Sequence, residues 1–143
     1  MLINTPPFFS IVLPTYNRGE IIESSINSVI DQSFQDWELI IVDDGSTDKT
    51  KKVIEKKQIQ DKRIKYFFQQ NSERSVARNN GIKNSKGRYI CFIDSDDFYE
   101  KNHLNLLYSE IKKREFPVAM FFCNVSRIQD GVKQKVPFES IND

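Results

Sequence analysis

Apolar residues in this chain come in short unbroken runs, separated by stretches in which they recur every three or four positions. Phe8 to Leu13 is almost wholly apolar and stops at Pro14, the pattern of a strand buried on both faces. From Gly19-Glu20 onward, Ile22, Ile26, Val29 and Ile30 fall at i, i+4, i+7 and i+8, which is one stripe of a helix. Trp37 to Val42 is a second continuous run, and it breaks into Asp43-Asp44-Gly45-Ser46-Thr47-Asp48, a cluster of turn and cap residues. Ser46 or Thr47 caps a predicted helix through Lys57, with Val53 and Ile54 facing inward and Lys49, Lys51, Lys52, Lys56 and Lys57 facing water. A third strand is predicted over Ile64 to Phe68, a short helix over Ser75 to Lys83 and a fourth strand over Arg88 to Ile93. Leu104, Leu107, Tyr108 and Ile111 mark a fourth helix, which Pro117 ends, and Val118 to Val125 reads as a fifth strand.

Strands alternating with helices at this spacing imply right-handed βαβ units, hence an α/β fold with an open, mostly parallel sheet and helices on both faces. The 143 residues fit one domain, with residues 127–143 either a hairpin arm or the start of a further, truncated half. A chain of this length buries a core without disulfides or a structural metal, and Cys91 and Cys123, both inside apolar runs, read as reduced core residues. Twenty-one basic against twenty acidic residues leave a net charge of +1, which argues against nucleic acid as a partner. The lysine-rich helix has no interleaved aromatics and reads as a solvated face. With no signal-like stretch and no run approaching ~18 apolar residues, no transmembrane segment is expected and a cytoplasmic location follows.

The chemistry lies in the polar breaks. Ligands of open α/β sheets bind at the carboxyl ends of the strands. Here those ends carry Pro14-Thr15-Tyr16-Asn17-Arg18, Asp43-Asp44-Gly45-Ser46 and Asp94-Ser95-Asp96-Asp97. If the strands are neighbours, five carboxylates share a rim, and their repulsion calls for a cation or hydrogen-bond donors. Asp94 and Asp96, two apart, can turn toward one hard cation, Mn²⁺ or Mg²⁺, whose remaining ligands would be water and phosphate oxygens. The plainer alternative is that these acids form Asx-turns and cap the next helix, a role that suits Asp97. An EF-hand is excluded, because Tyr99 and Asn105 stand where its loop needs Gly and Glu. There is no G-x-G-x-x-G and no Walker A loop. The single histidine, His103, opens the fourth helix and reads as a solvated residue rather than a general base.

Four separated segments, in order, resemble the nucleotide-binding half of the inverting family 2 glycosyltransferases, which have a GT-A fold. They are Ser10 to Arg18, Trp37 to Asp48, Ser75-Val76-Ala77-Arg78-Asn79-Asn80-Gly81, and Phe92 to Asp97. The likeness spans about residues 8 to 125. It implies that Pro14, Thr15, Tyr16 and Arg18, Asp43 and Asp44, Arg78, and Asp94 with Ser95 bind the nucleotide. Tyr16 would stack on the base, Asp44 would accept from its ring N–H, and Asp43 would support the loop or the ribose. Arg78 would lie near the base or phosphates. Asp94 and Asp96 resemble the D-x-D pair, Asp96 being the direct metal ligand and Asp94 shared between ribose and metal.

The same likeness implies a donor that is a nucleotide-diphosphate sugar, with UDP as its nucleotide. It also implies a saccharide or lipid-linked acceptor, the latter compatible with peripheral attachment to the inner face of a membrane. In this family the general base comes from an acceptor-binding half after the D-x-D segment. It is therefore expected beyond residue 143, and these 143 residues are expected to bind donor but to transfer little sugar. Two other readings stay open: a non-catalytic nucleotide-binding module, and a phosphohydrolase in which Asp94 is the nucleophile. Sugar, linkage and oligomeric state are not read from these residues.

Overall fold

A computed structural model describes residues 5–121, 126–129 and 132–135. The chain forms two compact units, Met1–Glu110 and Ile111–Asp143. In the first, β1 (Phe9–Thr15), β2 (Trp37–Asp43), β3 (Ile64–Phe68) and β4 (Tyr89–Phe92) form one parallel sheet in the order β3-β2-β1-β4. The helices α1 (Ile22–Ile30), α2 (Thr50–Gln60) and α3 (Arg74–Asn84) connect them, and α4 (His103–Lys113) follows β4. This is the predicted α/β arrangement.

Every residue of the two central strands is buried, as continuous apolar runs require. Alternation divides them between two faces. Val12, Ile40 and Val42 pack with Ala77 of α3 and with Phe67. Ile11, Leu13, Leu39 and Ile41 therefore point the other way, and their complete burial shows that this face is covered too. At the amino end of the sheet, Phe8 meets Phe9, Phe34 and Tyr108 edge-on, with ring centroids 4.7, 5.9 and 4.9 Å away.

Two side chains depart from the sequence reading. Lys57 does not point to water: it is buried, and its Nζ donates to Asn27 Oδ1 at 2.8 Å and pairs with Glu23 at 2.8 Å. The four-carbon stem covers apolar surface while the ammonium ties α2 to α1. His103 is half-buried, its ring 4.2 Å from that of Tyr99, and burial pushes its pKa down. Helix starts also shift. Both Ile21 and Ile22 donate their amides to Arg18 O, so a turn precedes α1, and Asp48 rather than Ser46 or Thr47 receives the Thr50 amide, at 2.9 Å, at the start of α2.

The second unit contains the end of α4, where Glu115 and Phe116 take φ of 58° and 59° and the Phe116 amide returns to Ile111 O at 3.0 Å. Its β5 (Ser126–Gln129) and β6 (Val132–Lys135) pair antiparallel. Of the fifth strand expected over Val118 to Val125, residues 118–121 are not strand, and residues 122–125 lie outside the described residues. An apolar run without a neighbouring ladder has nothing to fix it as a strand. Among the described residues no helix is long and apolar enough to cross a membrane.

The topology points to one place for a ligand. From β1 through α1, β2 and α2 to β3 the chain steps steadily to one side of the sheet. Then α3 carries it back to β4, on the far side of β1. The direction reverses between β1 and β4, and the crevice at the carboxyl ends of those strands is where α/β sheets bind ligands.

Candidate functional site

The loop leaving β1 is fixed by the loop leaving β2. Asn17 has φ 51°, a left-handed conformation that Asn tolerates. Its amide donates to Ser46 Oγ at 2.8 Å, and its Oδ1 accepts the Thr47 amide at 2.9 Å. The Arg18 amide donates to Thr50 Oγ1 at 2.9 Å, and the Gly19 amide to Asp48 Oδ2 at 3.0 Å. Asp43 serves this framework. It is fully buried, accepting from the Tyr66 hydroxyl at 2.9 Å and from the Ser46 amide at 2.9 Å. Burial first, then the hydrogen bond to Asp43 and its charge, pushes the Tyr66 phenol up. Of the two roles expected for Asp43, loop support is the one its contacts occupy.

Asp44, the next residue, is only 6% exposed and faces the cleft between β1 and β4. Its carboxylate accepts from Gln69 Nε2 at 2.7 Å, the Ser72 amide at 2.9 Å and the Glu73 amide at 3.1 Å. Gly45 follows with φ 87°, where a Cβ would come within 2.8 Å of the Asn71 amide nitrogen. The segment before α3 therefore lies directly on the segment after β2.

Glu73, which precedes α3, has φ 142° and ψ 155°, a region almost confined to glycine. Replacing Glu73 by Gly should raise stability by about 1 kcal/mol, because relief of ~1–3 kcal/mol of strain exceeds the entropic cost of a glycine. A rise in the urea midpoint checks this; a fall would show that the Glu73 side chain outweighs its backbone.

The other wall is acidic and basic by turns. Asp94 Oδ1 accepts from Arg78 Nη2 at 2.8 Å, and Asp94 Oδ2 lies 3.6 Å from Arg74 Nη1. Asp96 Oδ2 lies 3.8 Å from Arg18 Nη2, with both side chains about half exposed. Asp97 forms the turn: its amide returns to Asp94 O at 3.0 Å and its carbonyl accepts from Ser25 Oγ at 2.7 Å. Partial desolvation, then the charges of Asp94 and Asp96, push its carboxyl up.

These walls enclose a cleft of about 380 Å³. Pro14, Thr15, Tyr16, Arg18, Asp44, Asp94, Ser95 and Asp96, all singled out from sequence, line it. Asp43 lies beneath it and Arg78 reaches it through Asp94. Of the five carboxylates expected on one rim, three line the cleft, with Asp43 turned inward and Asp97 in the turn. Among the described residues the buried Thr15 Oγ1 meets no hydrogen-bond partner, and Tyr16 is 48% exposed. Asn71, Glu73 and Arg74 also line the cleft and were missed by sequence reasoning. The i, i+4 spacing of Arg74 and Arg78 was the available signal for Arg74. Among the described residues no group of three or more His, Cys, Asp or Glu is placed to hold a metal. Asp94 and Asp96 are a pair of hard oxygen donors, enough for a cation that takes its other ligands from phosphate and water.

A cleft at the switch point of a parallel sheet, with an exposed aromatic, a buried acceptor and a mixed acidic and basic wall, is an α/β arrangement of GT-A type. The chain belongs to glycosyltransferase family 2: the family model described as "Glycosyl transferase family 2" matches residues 10–140. It is 34% identical over 112 residues to Glycosyltransferase GlyG of Streptococcus pneumoniae, covering 78% of this chain and 37% of that protein. It is 41% identical over 93 residues to the GalNAc(5)-diNAcBac-PP-undecaprenol beta-1,3-glucosyltransferase of Campylobacter jejuni, covering 64% of this chain and 30% of that one. The crystal structure of S. aureus TarS 1-349 in complex with UDP-GlcNAc superposes with a TM-score of 0.70 at 33% identity, over 75% of this chain and 32% of that one. The chain spans less than half the length of the curated relatives it matches.

Proposed function

We propose that this chain is the donor-binding part of an inverting glycosyltransferase that takes a UDP-sugar with Mn²⁺ or Mg²⁺ and passes the sugar to a saccharide or lipid-linked acceptor. The observation that carries the reading is that Asp44, Asp94 and Asp96, from three separate segments, line one cleft with Tyr16. The similarity to TarS, whose structure holds UDP-GlcNAc, supports the nucleotide, and the undecaprenol-linked substrate named for the Campylobacter relative supports a lipid-linked acceptor.

In this reading Tyr16 stacks on uracil, and Asp44 accepts from its ring N–H. Thr15 Oγ1, buried without a partner among the described residues, takes a polar atom of the nucleotide. Asp96 and Asp94 would hold the cation, Asp96 the more directly, because Asp94 is already held by Arg78. When bound, the cation neutralises charge growing on the departing diphosphate. Arg18, loosely paired at 3.8 Å and half exposed, is free to turn from Asp96 to a phosphate oxygen. The acceptor hydroxyl attacks the anomeric carbon from the face opposite the diphosphate, giving inversion, and its proton passes to a base outside this set of residues.

Titration calorimetry with UDP, with and without Mn²⁺, tests the reading. Wild type should bind UDP more tightly with Mn²⁺, and Asp96→Ala should lose at least about tenfold of that enhancement while keeping the metal-independent part. Absence of UDP binding, or an undiminished Mn²⁺ effect in Asp96→Ala, would overturn it.

A further inference from the structure

Asp44 is wired from behind. Its Oδ1 accepts from Gln69 Nε2 at 2.7 Å and from the Ser72 amide at 2.9 Å, and its Oδ2 accepts from the Glu73 amide at 3.1 Å. A carboxylate has about four lone-pair directions, so one, on Oδ2, stays open. Gln69 cannot turn freely. Its Oε1 accepts from Asn80 Nδ2 at 2.8 Å, and Asn80 Oδ1 accepts from Asn84 Nδ2 at 2.9 Å. The polarity of this chain is forced, since a carboxylate only accepts: Gln69 must present its NH₂ to Asp44 and its oxygen to Asn80, and Asn80 its oxygen to Asn84. A row of amides thus runs from inside α3 to the carboxylate.

We infer that Gln69, backed by Asn80, is a positioning residue for base selection. It holds Asp44 so that a single acceptor faces the base. This inference rests on Asp44 being the nucleoside's acceptor. One fixed acceptor suits a base that carries N–H at the meeting atom, as uracil does. It opposes a base whose nitrogen there is itself an acceptor, as in cytosine, since two acceptors would face each other with no proton between them. Without Gln69 the Ser72 and Glu73 amides still hold the carboxylate, but a second lone pair, on Oδ1, opens and can accept from the exocyclic amino group of cytosine, so the distinction fades.

The test is calorimetric titration of the 143-residue chain with UDP and with CDP, Mn²⁺ present throughout. Wild type should prefer UDP by at least about tenfold, as a built polar site does. Gln69→Leu should weaken UDP about tenfold with little change in CDP, bringing the ratio near one. Loss of loop structure would instead weaken both nucleotides in proportion. Should Gln69→Leu not fold, Asn80→Ala stands in for it, because it leaves all three donors to Asp44 in place; it should lower the ratio about threefold. An unchanged UDP to CDP ratio in the folded variants, with wild type still preferring UDP, overturns the role of Gln69 alone. A wild type that binds neither nucleotide, or an Asp44→Asn that keeps the full preference, overturns the reading of Asp44 and this inference with it.

Discussion

Replacing Gly81 with valine is expected to cost about 3 kcal/mol or more of folding free energy, a large share of the ~5–15 kcal/mol that holds a domain. A Cβ at this position would overlap Cγ1 of Val12 and come within 3.2 and 3.3 Å of Val12 Cγ2 and Cβ. Val12 cannot yield: it is fully buried in the middle of β1 and, being β-branched, is stiff about χ1. Alanine at 81 gains ~1 kcal/mol of helix propensity, yet overpacking of ~1–3 kcal/mol outweighs it, so Gly81→Ala should also destabilise, by less. Paired with Val12→Ala, Gly81→Val should cost less than the sum of the two single changes, because the deleted methyls open the space. Additive urea midpoints would show that the close approach of α3 to β1 is not the cause. The effect reaches the cleft, since α3 also carries Arg74, Arg78 and Asn80.

The same helix shows where sequence reasoning succeeds and stops. The apolar runs of β1 and β2 are legible because a strand buried on both faces draws mainly on apolar residues, its few polar ones, such as Ser10 and Glu38, being hydrogen-bonded to each other, and both strands lie where the runs place them. Adjacent acids are not distinguishable by type. Asp43 and Asp44 differ only in which way the chain turns after β2, and that turn puts one under Tyr66 and the other in the cleft. Gln69 carries no local signal of a role, since its carboxylate partner is more than 15 residues away in sequence, whereas Arg74 is marked only by its i, i+4 spacing from Arg78. Lys57 looked solvated because neighbouring lysines are, and its partners Glu23 and Asn27 lie on another helix. Over residues 118–121 the apolar pattern suggested a strand, but strand formation needs a partner that composition does not name.

Asp44→Ala is expected to remove both nucleotide binding and much of the order before α3. The change leaves Gln69 Nε2 and the Ser72 and Glu73 amides without their acceptor. Hydrogen bonds to a charged group contribute ~1.5–3 kcal/mol each, but the cleft admits water to part of the site, so a net loss of about 2–4 kcal/mol follows rather than the full sum. UDP affinity should fall by at least about a hundredfold, because the base then meets no acceptor where its N–H points. Asp44→Asn separates the two effects. One amide oxygen can still accept from the loop, so stability should fall only about half as far, while the amide NH₂ opposes the uracil N–H and UDP binding should be lost as in Asp44→Ala. Thermal melts and calorimetry on the two variants decide it. Tight UDP binding by Asp44→Asn would mean that the open lone pair on Oδ2 is not where the base docks, and an Asp44→Ala as stable as wild type would mean that the segment before α3 is held by other contacts.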